Sequence, residues 1–255
     1  MKACVLHKVG DLRYEEAAVP EIARGEVLLR VRAAGICGSD IPRVFSKGTY
    51  RFPTILGHEF AGEVVKTNAG DEHMLGCRFA VFPLLPCFRC DACATGEYQQ
   101  CADYSYYGSR RDGAFAEYLA VKKWNLIPLP DGVSFEEAAM AEPCAVALHA
   151  LKRFGVAHGD SIAIFGAGTI GLLAGQAAKV RGAGKVMFFD IDDGRLDFAK
   201  RIGFEHAVNS TAQSPEEYVM SVTGGRGADI CLDAAGVSAS VEAAATCAGR
   251  SGKLV

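Results

Sequence analysis

The chain has 255 residues, half of them hydrophobic and 22% charged, with a formal net charge of −3. That length accommodates two domains around large buried cores. The nearly balanced charge leaves no electrostatic footprint for nucleic acid or an anionic membrane surface, so neither is expected as a partner.

The first sixteen residues, MKACVLHKVGDLRYEE, carry charges throughout and contain no apolar signal-peptide core. Ten cysteines without an export signal suit a reducing compartment, where thiolates bind metal, and a cytoplasmic location is expected. The first half then reads as β-rich. EVLLRVRAAG (26–35), FAGEVVKT (60–67), RFAVFP (78–83) and FAEYLAV (115–121) alternate or run apolar between glycine-bearing turns.

PLLPCFRCDACATGEYQQC interrupts that pattern and places Cys87, Cys90, Cys93 and Cys101 at Cys-x2-Cys-x2-Cys-x7-Cys spacing. Four sulfurs in one short lobe can converge on a single point. A tetrahedral thiolate site with Zn–S bonds of roughly 2.3 Å is closed and structural. Residues three apart reach one another poorly for a disulfide, and the spacing lacks the tight last interval and proline of the bacterial ferredoxin run. The quartet is therefore expected to hold a structural zinc.

A helix is expected from Ser134, which with Glu137 has capping-box spacing ahead of an alanine-rich run. Pro143 is expected to kink or divide it, and the stretch to about residue 155 to join two domains, 1–150 and 151–255. From Asp160 the pattern turns to strand–helix alternation. SIAIFG (161–166), KVMFFD (185–190), HAVN (206–209) and ADICLDAAG (228–236) read as strands, with helices over 169–182 and 193–203. Such alternation predicts a doubly wound parallel sheet, a Rossmann domain. Residues 161–178 carry no charge and could mimic a membrane span, but Gly166, Gly168, Gly171 and Gly175 fit a strand–turn–helix better.

GAGTIG (166–171) is a Gly-x-Gly-x-x-Gly run between a strand and a helix, and Asp190 lies 19 residues beyond Gly171 at the end of the next strand. Gly166 permits the tight turn, Gly168 lets the backbone approach a pyrophosphate, and Gly171 lets helix and strand pack closely. The helix start at Thr169 and Ile170 offers N–H groups to phosphates. Asp190 suits ribose hydroxyls and repels a 2′-phosphate, which favours NAD over NADP. Arg195 can stack on adenine or meet a phosphate.

Upstream, AAGICGSDIPR and ILGHEFAGEVV hold Cys37, His58 and Glu59, a mixed ligand set of the kind that leaves a catalytic zinc one open position. Spacing alone leaves two readings, a metal site or ordinary core residues. Glu142 is a further carboxylate, either a ligand or a helix-surface acid.

Taken in order, CGSD, GHEFAG, the four-cysteine lobe, DGAFAEY (112–118), the Glu142–Pro143 step and GAGTIG resemble the zinc-dependent medium-chain alcohol dehydrogenases over nearly the whole chain, and within them the polyol branch. The resemblance implies a GroES-like catalytic domain followed by a Rossmann domain, two zinc ions per chain, and NAD. It implies a catalytic zinc on Cys37, His58 and either Glu59 or Glu142, with Ser39 taking up the substrate proton. It also implies a small-molecule polyol or polyol-phosphate substrate, such as sorbitol or galactitol 1-phosphate, and a homo-oligomer in full-length relatives. Arg43, Arg110 and Arg111 could hold a substrate phosphate. Cys4, Cys77, Cys144, Cys231 and Cys247 read as small core residues.

The chain ends at GRSGKLV, in the expected fifth strand of a fold whose usual order has six, so a chain short at its C-terminus is expected. The competing readings are a non-catalytic zinc-binding fragment, a dehydrogenase of another secondary alcohol such as threonine or butanediol, and a zinc-free NADPH-dependent quinone reductase. The quartet and Asp190 argue against the last.

Overall fold

A computed structural model describes all 255 residues, which divide into two compact units, Met1–Glu142 and Pro143–Val255. The division falls eight residues ahead of the boundary expected from the sequence, inside the first turn of a helix.

The first unit carries strands β1 (Lys2–Lys8), β2 (Asp11–Glu16), β3 (Glu26–Gly35), β4 (Thr54–Ile55), β5 (Glu59–Lys66), β6 (Arg78–Val81), β7 (Leu84–Leu85), β8 (Ser105–Tyr106), β9 (Tyr118–Lys122) and β10 (Leu126–Pro128). Its helices are α1 (Asp40–Phe45), α2 (Asp91–Ala94) and α3 (Phe135–Ala139). An antiparallel sheet in the order β10-β6-β5-β3-β9 forms the frame, with smaller sheets β2-β1-β4 and β7-β8. Val27, Leu29, Phe60, Val64, Val121 and Tyr107 fill its main core. Each fully buried side chain of this size contributes about 1.5–3 kcal/mol relative to exposure. The register of β3 against β5 sets Gly35 opposite Glu59.

Ser134 caps α3, its side chain accepting from the Glu137 N–H while Glu137 accepts in return from the Ser134 N–H. The helix then stops, and α4 (Ala141–Phe154) starts with Pro143 in its first turn. A proline is harmless there because a first-turn N–H has no helical acceptor. The expected division of this helix is thereby realised at Met140.

The second unit alternates β11 (Ser161–Phe165), α5 (Thr169–Val180), β12 (Lys185–Asp190), α6 (Asp193–Arg201), β13 (His206–Asn209), α7 (Pro215–Thr223), β14 (Ala228–Asp233), α8 (Ser238–Cys247) and β15 (Ala248–Leu254). The strands form one parallel sheet in the order β13-β12-β11-β14-β15, a Rossmann arrangement of five strands. Every residue of SIAIF in β11 is buried, as a central strand covered on both faces requires. Ser161 donates from both N–H and hydroxyl to Asp229, at 2.8 and 2.6 Å, pinning β11 to β14 and holding the Asp229 carboxyl below its usual range. No helix is long and apolar enough to cross a membrane. The uncharged run 161–178 is shared between β11 and α5.

Cys231 and Cys247 are fully buried, as expected of core thiols, and Cys4 and Cys144 are half-buried. Cys77 is exposed instead. It follows a short 3₁₀ turn at Glu72–Met74, outside the core, and its thiol meets the His73 carbonyl at 3.4 Å.

Candidate active site

The sulfurs of Cys87, Cys90, Cys93 and Cys101 lie within 4.8 Å of one another. Phe88, with φ of 58°, turns the chain between the first two, and Cys90 begins α2, which carries Cys93. Backbone N–H groups point at this cluster. The Cys87 N–H donates to Cys101 Sγ at 3.2 Å, and N–H donors at Ala102 and Cys93 pull the Cys90 thiol down to about 6. Burial pushes Cys93 up to about 12, so without a cation the four sulfurs cannot all be thiolates. A divalent ion in their midst removes that conflict, and a closed four-sulfur zinc site fits the donor set.

A second convergence joins residues distant in sequence. One ligand atom each from Cys37, His58 and Glu59 lies within 4.8 Å of the other two. Cys37 follows β3, while His58 immediately precedes β5 and Glu59 opens it, so the β3–β5 pairing brings them together. The CGSD turn is locked from both sides: the Asp40 N–H donates to the Cys37 carbonyl at 2.9 Å, and the Cys37 N–H donates to Asp40 Oδ2 at 3.0 Å. Asp40 is only 3% exposed and its Oδ1 stands 3.7 Å from His58 Nδ1, so its carboxylate orients the imidazole. Burial pushes up both the Cys37 thiol and the Glu59 carboxyl, the expected state of ligands that a cation would ionise.

Glu142 stands outside this trio. Its Oε1 accepts from the Tyr106 hydroxyl at 2.9 Å, and the Tyr106 ring meets His58 edge-on at 5.8 Å. Ser39 lies at the start of α1, its N–H 3.5 Å from Cys37 Sγ, and its hydroxyl accepts from Arg43 Nη1 at 2.6 Å. A cavity of about 400 Å³ is walled by Ser39, Arg43, His58, Tyr106 and Arg110. Tyr50, Tyr104 and Tyr106 also reach it, and the sequence reasoning does not single them out. The tyrosine run at 104–107 is the available signal. Arg111, adjacent to Arg110, turns elsewhere and donates to Glu26 at 3.3 Å.

The fit for a metal can be tested at Gly35. A Cβ there would stand 2.3 Å from Glu59 Oε2, so the carboxylate occupies the volume any side chain would need. Gly35→Ala is expected to displace Glu59 and weaken metal binding at the trio by about 10- to 100-fold, the range for disturbed ligand orientation. Competition with a chromophoric chelator would show the loss at one site only.

In the second unit a separate cavity of about 340 Å³ is lined by Gly166, Gly168, Asp190 and Arg195. α5 begins at Thr169, so the N–H groups of Thr169, Ile170 and Gly171 open toward the loop. The Asp190 carboxylate, 8% exposed, accepts from the Ala167 N–H at 2.7 Å and the Asp192 N–H at 3.0 Å. Arg195 reaches to 3.7 Å from the same carboxylate. The glycine loop, the acid and the arginine thus share one cavity of dinucleotide-binding type.

Comparison with known proteins identifies the family. Residues 23–131 match the alcohol dehydrogenase GroES-like domain, and residues 169–255 match the zinc-binding dehydrogenase family. The chain is 38% identical over 261 residues to sorbitol dehydrogenase of Bacillus subtilis (strain 168). It is 40% identical over 256 residues to galactitol 1-phosphate 5-dehydrogenase of Escherichia coli (strain K12). In both cases 100% of this chain is covered and 74% of the relative. The crystal structure of galactitol-1-phosphate dehydrogenase from Escherichia coli superposes with a TM-score of 0.91 at 40% identity, covering 100% of this chain and 74% of that one. The two matched domains and these relatives show that the chain belongs to the zinc-dependent medium-chain alcohol dehydrogenases, in their polyol branch.

Proposed function

We propose that the chain oxidises a secondary alcohol of a polyol or polyol phosphate, of the sorbitol or galactitol 1-phosphate type, and delivers the hydride to NAD. The observation that carries this reading is the convergence of Cys37, His58 and Glu59 beside a cavity walled by Ser39. Bound at these sites, zinc supplies a Lewis acid for the substrate hydroxyl and NAD a hydride acceptor.

The chain's own residues then have definite tasks. Cys37, His58 and Glu59 hold the catalytic ion, with Glu142 as the alternative carboxylate, kept in place by Tyr106. Ser39 accepts the hydroxyl proton on a lone pair that Arg43 leaves free and releases its own hydroxyl proton towards the ribose and solvent. Cys87, Cys90, Cys93 and Cys101 hold the structural ion and brace the lobe. Met1–Glu142 forms the catalytic domain and Pro143–Val255 the NAD-binding domain, where Gly166, Gly168, Thr169, Ile170 and Gly171 receive the pyrophosphate. Asp190 takes the ribose hydroxyls on its remaining lone pairs, and Arg195 lies along the adenine. A cytoplasmic location accords with ten free thiols, and a homo-oligomer is proposed for full-length relatives.

The test is NADH formation, followed by absorbance, across a panel of polyols and their phosphates. Asp190→Asn keeps an acceptor for the Ala167 N–H but loses the charge. It is expected to lower kcat/KM with NAD by about tenfold or more, the value of one charged hydrogen bond. The rate with NADP is expected to hold or rise. An unchanged NAD preference would remove Asp190 from the cofactor site.

A further inference from the structure

We propose that Arg110, seconded by Arg43, forms an anion subsite in the cavity that holds Ser39 and His58, so that the substrate carries a phosphate monoester and a free polyol is a poor ligand. This rests on the dehydrogenase reading above and specifies its substrate.

Three observations carry it. First, the guanidinium of Arg110 packs against two aromatic rings, 4.0 Å from the Tyr50 centroid and 4.6 Å from that of Tyr104. Contact with both rings holds the guanidinium in the cavity wall. Second, the fork has no carboxylate partner. Arg110 Nε is buried without a hydrogen-bond acceptor, and no carboxylate lies within ion-pair distance of the side chain. Its neighbours in the same region are satisfied: Arg111 pairs with Glu26, and Arg51 pairs with Asp112 at 2.6 Å. A guanidinium without a carboxylate in a cavity wall is open to an incoming anion. Third, no carboxylate lines the cavity, whereas Arg43 shares its wall. Only Nη1 of Arg43 is engaged, on Ser39 and on Asp40 at 3.4 Å. Lys47 lines an adjoining cavity that also contains Ser39, Arg43 and Tyr50, so the basic wall continues outward.

Neutral sugar hydroxyls would leave such a fork without its charge partner, while phosphate oxygens match it bidentately. A site built around a buried polar group rejects the analogue that cannot satisfy it. Arg110 would thus decide between two substrate types, a free polyol and a polyol phosphate.

Calorimetric titration of the zinc-loaded chain with galactitol 1-phosphate and with galactitol tests the proposal without needing turnover. The phosphate ester is expected to bind about 10²-fold more tightly or better. Arg110→Ala is expected to remove that preference by weakening the phosphate ester far more than galactitol. Arg110→Lys keeps the charge but loses the fork, so it is expected to restore the preference only in part. Arg111→Ala, which alters charge next door but outside the cavity, is expected to preserve it. Should Arg110→Ala fail to fold, the Lys variant and the comparison of the two ligands on the parent chain still decide. Equal affinity for both ligands, or a preference untouched by Arg110→Ala and Arg110→Lys, would overturn the subsite. Equal oxidation of both ligands with NAD overturns the subsite and upholds the dehydrogenase. Tight Arg110-dependent binding of the phosphate ester with no NADH formed upholds the subsite and overturns the dehydrogenase.

Discussion

Cys37→Ala is expected to lower kcat/KM for alcohol oxidation by about 10³-fold or more with zinc in excess, and to leave the melting temperature nearly unchanged. Lewis-acid stabilisation of a developing alkoxide amounts to several kcal/mol, and each 1.36 kcal/mol is about a tenfold change in rate. The fold depends little on this thiol. Cys37 is half-buried, its sulfur meets the Ser39 N–H at 3.5 Å, and the CGSD turn is held by backbone and Asp40 contacts that alanine retains. Steady-state kinetics beside a thermal scan separates the two effects. Activity that survives the substitution would place the chemistry elsewhere.

The glycine loop predicts a contrast between two substitutions three residues apart. A Cβ at Gly171 would stand 1.9 Å from the Gly166 carbonyl oxygen, backbone against backbone, so α5 would have to lift from β11. Gly171→Ala is expected to destabilise the protein by about 2–3 kcal/mol, as overpacking of a fixed contact does. Gly168 has ordinary negative φ and nothing within 4 Å of its would-be Cβ. Gly168→Ala is therefore expected to fold normally and to lose dinucleotide affinity by about tenfold or more, because the added methyl lies where the pyrophosphate must approach the backbone. Denaturant melts and NADH fluorescence titration read the two outcomes. A Gly168→Ala protein that binds NADH like the parent would show that the open space is not the phosphate cradle.

The nucleotide site is legible in the sequence because all of its parts are local. A buried strand, a glycine turn and a helix follow one another within twenty residues, and the period of apolar residues changes visibly between them. β3 and β12 match their expected bounds to the residue for a similar reason, since long apolar runs are bounded by clear turns. The N-terminal hairpin is hidden because β2, DLRYEE, is mostly exposed and has no apolar face. α8 is hidden because SASVEAAATC packs small side chains and has little amphipathic contrast. The two-residue strands β4, β7 and β8 exist only through partners far along the chain.

The two metal constellations differ in the same way. The quartet lies within one lobe, so spacing alone identifies it. Cys37 and His58 are joined only by the pairing of β3 with β5, and without that register sequence cannot choose between ligand and core residue. The adjacent arginines show the limit most plainly. Nothing in SRRDG distinguishes Arg110, packed against two tyrosines in the cavity wall, from Arg111, paired with Glu26 outside it.

The central claim is that this chain carries a closed structural zinc site and a separate open catalytic one. Elemental analysis of zinc per chain tests it most directly, on the parent protein and on Cys37→Ala purified alike. The expected values are two zinc ions per parent chain and one in the variant, the quartet remaining filled. One zinc per chain in both proteins would contradict the catalytic site built from Cys37, His58 and Glu59.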